Sequence, residues 1–353
     1  MDKIARLRQE LRRLDLPNFL VTRLSNIRYL CGFSGTAGVL LITPRKARFF
    51  SDFRYQKQTA LQVHDAEVII YPDELIKELR RRPLNLSGRI GFEAAFLDVA
   101  TYDQLRKVFP NLEWAPTTKV VEGIAAIKEP AEIKKIRRAA AITDAVFLDV
   151  LKLIRPGVRE IDLSAAISYL HKRRGADGDS FPPIVASGPR SALPHGIASE
   201  RKIRLGDLIT LDLGCLYQGY ASDLTRTVAV GRCSAKLKSI YALVLKAQNE
   251  AIASARAGMK AKALDEIARK IIRDGGHGEH FGHGLGHGLG LEVHAEPRVS
   301  FISDDELKAG NVVTIEPGIY LPDVGGVRIE DDVWIKKGSA EVITQSPRDL
   351  MIL

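Results

Sequence analysis

The sequence predicts an α/β (α+β) protein of two domains, a layered mixed α/β domain over residues 1–123 and a pseudo-two-fold domain over residues 124–353. Three observations carry this. Short β-like runs alternate with helical stretches as far as Val120. Beyond it, a plan of long helix, Pro/Gly stop and second helix occurs twice, about a hundred residues apart. Two seven-residue segments, GDLITLD at Gly206 to Asp212 and GNVVTIE at Gly310 to Glu316, then repeat one pattern and end in a carboxylate.

In the first domain the charged N-terminal segment MDKIARLRQELRRLDL reads as an amphipathic helix. Phe19 to Thr22, Gly38 to Thr43, Ala47 to Phe50, Val68 to Tyr71 and Arg89 to Gly91 read as strands, with Pro44-Arg45-Lys46 as a turn. Helices are expected from Asp73 to Arg82, stopped by Pro83, and from Ala100 to Phe109, stopped by Pro110.

In the second domain Ile133, Ile136, Ala140, Val146, Phe147, Val150, Leu151 and Ile154 recur at helical intervals until Pro156-Gly157. A helix from Ile161 to Arg174 follows. The plan returns as Leu237 to Arg256, a stop at Ala257-Gly258, and Leu264 to Arg273. Period two puts Leu208, Thr210 and Asp212 on one strand face, and Val312, Thr314 and Glu316 on its counterpart. Each half adds a second acid four residues after a glycine, Gly219 to Asp223 and Gly326 to Glu330. Two copies are too few for a repeat array, so the halves form one domain whose acids converge between them.

Composition excludes several classes. With 45% hydrophobic and 27% charged residues, the 353-residue chain has the balance of a soluble globular protein. The net charge of +9 is spread along the chain without the long basic run of a nucleic-acid-binding tail. Cys31, Cys215 and Cys233 form no CxxC pair and suggest neither a disulfide framework nor a thiolate zinc site. There is no secretory leader and no run of about 18 apolar residues, so a cytoplasmic protein without membrane or nucleic-acid partners is expected.

The chemistry lies in the acids and in FGHGLGHGLGLEVH, Phe281 to His294, which holds three histidines on a backbone too rich in glycine for a helix. Asp212, Asp223, Glu316 and Glu330 gathered at one buried place repel one another and require cations. Two divalent ions balance four carboxylates, and one nitrogen from the histidine run completes an oxygen-rich shell suited to Mn²⁺, Co²⁺ or Zn²⁺. A water between such ions can ionise near neutral pH and attack a carbonyl, which is hydrolase equipment. A lone Asp at a strand end is ordinarily a turn former or a cap; the matched positions in two halves argue otherwise here. His277 and His280 fit a surface tract equally well. HExxH, GxSxG and Walker sequences are absent, and the Gly-His run is out of register for GxGxxG.

Five motifs, Asp212 in LDLGC, Asp223 in YASDLTRT, His287 in HGLGHGLGLEVH, Glu316 in TIEPGIY and Glu330 in VRIEDD, resemble in order the ligand motifs of the pita-bread dinuclear metallopeptidases. The resemblance covers essentially the whole second domain. It implies that Asp212 chelates one ion, that Asp223 and Glu330 bridge both, and that His287 and Glu316 hold the other, with Mn²⁺ first and Co²⁺ or Zn²⁺ as alternatives. It further implies that His195 in LPHG and His294 in LEVH contact substrate and stabilise the tetrahedral intermediate, and that His283 lies at the pocket. Glu316 would also carry the proton from water to the leaving nitrogen. Tyr320 and Arg328 resemble supporting positions beside the ligands and are expected at the substrate site.

NIRYLCGFSGTAGVLLIT followed by SDFRY resembles the creatinase-like N-terminal domain, which plain methionine aminopeptidases lack. Creatinase itself lacks the ligand set. The proline-specific branch remains, and FSGTAG, DFRY and GADGDSFPPIVASG resemble bacterial aminopeptidase P more than prolidase. Cys31 stands where related chains more often show threonine. The function so implied is an Xaa-Pro aminopeptidase acting on peptides with proline second, with Xaa-Pro dipeptidase as the alternative. A peptide- or protein-binding module that has lost catalysis is the remote one. The branch also implies a homodimer whose N-domain helps close an active-site mouth. A tertiary amide before proline has no N–H and a fixed φ, which explains extra histidines around a metal pair.

Overall fold

The computed structural model describes residues 2–82 and 84–353, and the stop expected of Pro83 lies outside them. The chain divides into two compact units, residues 1–125 and 126–353.

The first unit is a mixed α/β layer. Its helices are α1 (Lys3–Arg13), α2 (Leu24–Cys31), α3 (Gln56–Gln62), α4 (Leu75–Arg81), α5 (Val99–Val108) and α6 (Val120–Ala125). Its strands are β1 (Asn18–Val21), β2 (Val39–Ile42), β3 (Ala47–Asp52), β4 (Glu67–Tyr71), β5 (Arg89–Glu93) and β6 (Glu113–Thr117), in the sheet order β4-β3-β2-β1-β5-β6. Helix α1 starts because Asp2 accepts from the Ile4 amide at 2.9 Å, and it buries Ile4, Leu7 and Leu11 along one stripe. Arg12 and Arg13 in its last turn complement the helix dipole. Antiparallel pairing in β3-β2-β1 gives way to parallel pairing at β4, β5 and β6. Four elements carry weak sequence signals. In α3 only Thr59 is buried, so it has no apolar period, while β6 tolerates Pro116 because it is an edge strand; α2 and α6 are short.

In the second unit α7 (Pro130–Leu151) and α8 (Glu160–Arg173) precede β7 (Gly178–Asp179), β8 (Ile184–Ser187), β9 (Leu208–Leu213), β10 (Cys215–Tyr217), β11 (Tyr220–Ala221) and β12 (Leu224–Ala229). The second half has α9 (Ala235–Ser254), α10 (Ala261–Asp274), β13 (Gly286–Gly288), β14 (Ala295–Val299), β15 (Val312–Ile315), β16 (Gly318–Leu321), β17 (Gly325–Arg328), β18 (Asp331–Ile335) and β19 (Ala340–Val342). Pro130 at the first turn and a capping box between Glu129 and Glu132 start α7. The Ser234 side chain caps α9. One antiparallel sheet runs β12-β9-β8 and a larger one β14-β13-β15-β18-β19, each with its half's helices contributing to its apolar core, and two smaller sheets run β11-β10-β7 and β16-β17.

The halves join along β12. The Glu330 amide donates to the Thr225 carbonyl at 3.1 Å, and the Thr227 hydroxyl donates to the Arg328 carbonyl at 3.1 Å. Matching is close where the strands begin: Gly206 and Gly310 both hold left-handed turns, at φ +89° and +99°, two residues before β9 and β15. The second pair of glycines is matched in spacing only. Gly219 sits at φ +81° in a turn, whereas Gly326 is a strand residue. Among the described residues no helix is long and apolar enough to cross a membrane.

Candidate metal centre

Each acid is delivered by a strand end. Asp212 lies in β9, Asp223 directly precedes β12, Glu316 directly follows β15, and Glu330 lies between β17 and β18. His287 comes from the middle of β13, wedged between β14 and β15. That strand is glycine-rich because neighbouring backbones crowd it. A Cβ on Gly286 would lie 2.0 Å from the Thr314 carbonyl oxygen, and one on Gly288 2.1 Å from that of Glu296.

Asp223, His287 and Glu330 each offer a ligand atom within 4.8 Å of the other two. His287 Nε2 also lies 3.4 Å from Glu316 Oε1 and 3.7 Å from Asp223 Oδ2. His287 Nδ1 donates to the Gly288 carbonyl at 3.1 Å, which leaves Nε2 with its lone pair facing the carboxylates. Glu330 accepts from the Thr225 hydroxyl at 2.6 Å, and Glu316 from the Thr314 hydroxyl at 3.2 Å. Asp212 is turned toward Arg328, whose Nη2 donates to Oδ2 at 2.6 Å.

Such crowding of buried acids changes their protonation. Burial, then the Glu330 charge, raises Asp223 well above the ordinary carboxylate range, and burial with the Glu316 charge does the same to Glu330. Burial pushes Glu316 up to about 7 against the opposing pull of Arg328. Asp212 Oδ1 and Asp223 Oδ1 are buried with no hydrogen-bond partner among the described residues. Carboxylate oxygens without donors and an imidazole lone pair aimed among them fit a divalent cation held by oxygen and nitrogen.

A second line of groups leads away from Asp212. Arg328, buried, donates through Nη1 to the Tyr320 hydroxyl at 3.0 Å, and Tyr320 meets His283 Nε2 at 2.9 Å. Burial, then Arg328, lowers His283 from 6.5 to about 4, so the ring is neutral at pH 7. Its single N–H is spent on Nδ1, which donates to the Gly284 carbonyl at 2.8 Å, so Nε2 accepts the Tyr320 proton. Both nitrogens of His283 are thus engaged within the protein. His195 and His294 are exposed instead, and the His294 ring lies 4.3 Å from that of His287. Arg328 also donates to the Pro194 carbonyl at 3.1 Å, tying the His195 loop to the same guanidinium. His277 and His280 pair with each other, their rings 5.6 Å apart.

Sequence reasoning passes over Thr225 and Thr314, whose hydroxyls hold two of the acids, and over Asp332, which accepts from the Asp223 amide at 3.1 Å. A local signal was present only in TIE, where Thr314 stands two residues before the acid it holds; Thr225 reaches Glu330 across 105 residues.

Metallopeptidase family M24 matches residues 134–337, and the Creatinase/Prolidase N-terminal domain matches residues 3–127. An uncharacterized peptidase of Bacillus subtilis is 43% identical over 352 residues, covering 99% of this chain and 100% of that protein. An Xaa-Pro dipeptidase of Pyrococcus horikoshii is 39% identical over 352 residues, 99% of each chain. Among solved structures, an Xaa-Pro dipeptidase from Bacillus anthracis superposes with a TM-score of 0.97 at 44% identity, covering 100% and 99% of the two chains. An X-Pro aminopeptidase from Thermotoga maritima gives 0.90 at 35% identity, covering 98% and 100%. With its acids and histidine grouped in this way, the chain belongs to metallopeptidase family M24 and carries a creatinase/prolidase N-terminal domain.

Proposed function

We propose that this protein is a metal-dependent hydrolase of Xaa-Pro bonds and that Xaa-Pro dipeptides are its first substrates. The observation that carries the reading is the grouping of Asp223, His287 and Glu330, with Glu316 3.4 Å from the same imidazole nitrogen. In this reading Asp212, Asp223, His287, Glu316 and Glu330 hold two divalent ions, with Mn²⁺ expected and Co²⁺ or Zn²⁺ as alternatives. Bound there, they would supply Lewis acidity toward a carbonyl oxygen and toward water.

The chain's own residues then have distinct tasks. Glu316, with Oε1 beside both Thr314 and His287, takes the proton that the attacking water loses and delivers it to the leaving nitrogen. Proline's tertiary nitrogen must gain that proton to leave. His195 and His294, both exposed, face substrate and donate to oxygen as charge develops on it. Arg328 and Tyr320 hold Asp212 and His283 in place, and His283 completes the wall of the pocket.

The names of the relatives at 39% and 44% identity favour the dipeptide. The aminopeptidase reading, cleavage after the first residue of longer peptides with proline second, keeps support from FSGTAG and DFRY and from the Thermotoga maritima relative. A homodimer, residues 1–123 as its N-terminal domain, residues 124–353 as its catalytic domain, and a cytoplasmic location complete the reading. Rates on an Xaa-Pro dipeptide and an Xaa-Pro-Xaa tripeptide at equal metal loading decide between substrates. Preference for the dipeptide supports prolidase activity, and preference for the tripeptide replaces it with aminopeptidase P activity. Asp223→Asn should remain folded, retain at most one tightly held ion and turn over little; full activity in it would sink the bridging role.

A further inference from the structure

Helix α10 carries a pair of charges whose hydrogen-bond partners outside the helix lie in the segment leading to His287. Asp265 is fully buried and Arg269, one turn later, is 16% exposed; the guanidinium meets the carboxylate through Nε–Oδ2 at 2.7 Å and Nη2–Oδ1 at 3.0 Å. This two-point pairing fixes the plane of the guanidinium. The remaining donors reach across to the main chain. Nη1 donates to the Phe281 carbonyl at 2.8 Å, and Nη2 donates to the His283 carbonyl at 2.7 Å. Two aromatic rings flank the cation, Phe281 with its centroid at 4.2 Å and Phe301 at 4.7 Å. Asp265 Oδ1 also accepts from the Leu285 amide at 2.9 Å, and the Leu285 carbonyl accepts from the Glu316 amide at 2.8 Å.

Phe281, His283 and Leu285 are alternate residues of a segment with no regular secondary structure around His283. Glycines on both sides of His283 leave the backbone free to turn. Yet the ring must present Nε2 to Tyr320 while Nδ1 reaches Gly284, which demands one backbone placement. The only side chain donating to the carbonyls of both Phe281 and His283, among the described residues, is Arg269.

We propose that Arg269, aligned by Asp265, is a positioning residue for His283, and through it for the Tyr320–Arg328–Asp212 line. The role rests on the hydrolase reading for its catalytic consequence, but the positioning itself does not depend on which bond is cleaved. Lysine at 269 would keep the charge between the rings while losing the planar fork that serves two carbonyls. Asparagine at 265 would keep an acceptor for the Leu285 amide and remove the charge that aligns Arg269.

The test combines a double-mutant cycle with a probe of the ring. Arg269→Lys should lower kcat/KM on an Xaa-Pro dipeptide about 10-fold or more, and in a His283→Ala background the same change should cost less than about 2-fold. Multiplying effects would overturn the proposal, since a merely structural arginine costs the same with or without the histidine. In the nitrogen NMR spectrum of the side chains, the His283 resonances should move in Arg269→Lys and in Asp265→Asn; unmoved resonances overturn it as well. If Arg269→Lys does not fold, Asp265→Asn carries both readouts. Should the wild type cleave no Xaa-Pro bond, the functional reading fails, and the ring resonances alone decide whether Arg269 positions His283.

Discussion

Arg226 and Asp331 form an ion pair in which neither side chain reaches solvent, with Nη2 2.7 Å from Oδ1. One residue belongs to β12 of the first half and the other to β18 of the second. Every donor of the guanidinium is used: Nε on the Pro347 carbonyl at 2.8 Å, Nη1 on the carbonyls of Thr225 and Glu330, and Nη2 also on Ser346 at 2.7 Å. The pair therefore fixes the backbone of Glu330 and of Thr225, whose hydroxyl holds the Glu330 carboxylate.

Asp331 also holds Arg348 Nε at 2.8 Å and accepts from Gln248 and Thr344, so removing Arg226 leaves it one cation while taking a buried donor from four carbonyls, at a cost of about 3–5 kcal/mol. Arg226→Met should lower the unfolding free energy by that amount in urea, with a parallel loss of bound metal. A change under about 1 kcal/mol would show that Arg348 alone compensates Asp331 and that the four carbonyls find other donors.

Tyr320 links His283 to Arg328, and its hydroxyl does not contact the acids directly. Tyr320→Phe should leave metal content intact and lower activity about 10–100-fold, the usual cost of losing a partner that orients a site. Steady-state rates and metal analysis on the same preparation check both halves of that statement.

His283 couples stability to pH. Its pKa is depressed from 6.5 to about 4 by burial, so between those values the unfolded chain binds more protons than the native one. Its contribution is whole above pH 6.5 and is lost as pH falls toward 4, amounting to about 3 kcal/mol at most. His283→Gln should flatten the fall in unfolding free energy over this window, measured by denaturant titration at several pH values.

Gly286 admits no side chain, because its Cβ would stand 2.0 Å from the Thr314 carbonyl oxygen. Gly286→Ala should destabilise the second unit by about 3 kcal/mol or more through forced strand separation. An unchanged melting temperature would mean that β13 can part from β15 without loss.

Asp223 and Glu330 are legible in the sequence because each stands four residues after a glycine, one in each half, and His287 because the glycine run that carries it is too regular for an ordinary loop. The helical plan is legible because α7 to α10 each carry a sustained apolar stripe. What holds the acids is much less so. Arg226 meets Asp331 across 105 residues and Arg328 meets Asp212 across 116, and no local period marks such partners. The glycine run reads as neither helix nor irregular loop; its central part becomes β13 because two neighbouring backbones press on it. In the first unit, α3 and β6 escape periodicity because one buries a single residue and the other lies at the sheet edge.

The most direct measurement of the central claim is hydrolysis of an Xaa-Pro dipeptide by protein stripped of metal and then titrated with Mn²⁺, Co²⁺ or Zn²⁺. The account predicts no turnover in the stripped protein and activity that rises to a plateau at two ions per chain. Turnover unaffected by stripping, or none with any of the three ions on dipeptide and tripeptide alike, would contradict it and leave the peptide-binding module as the reading to pursue.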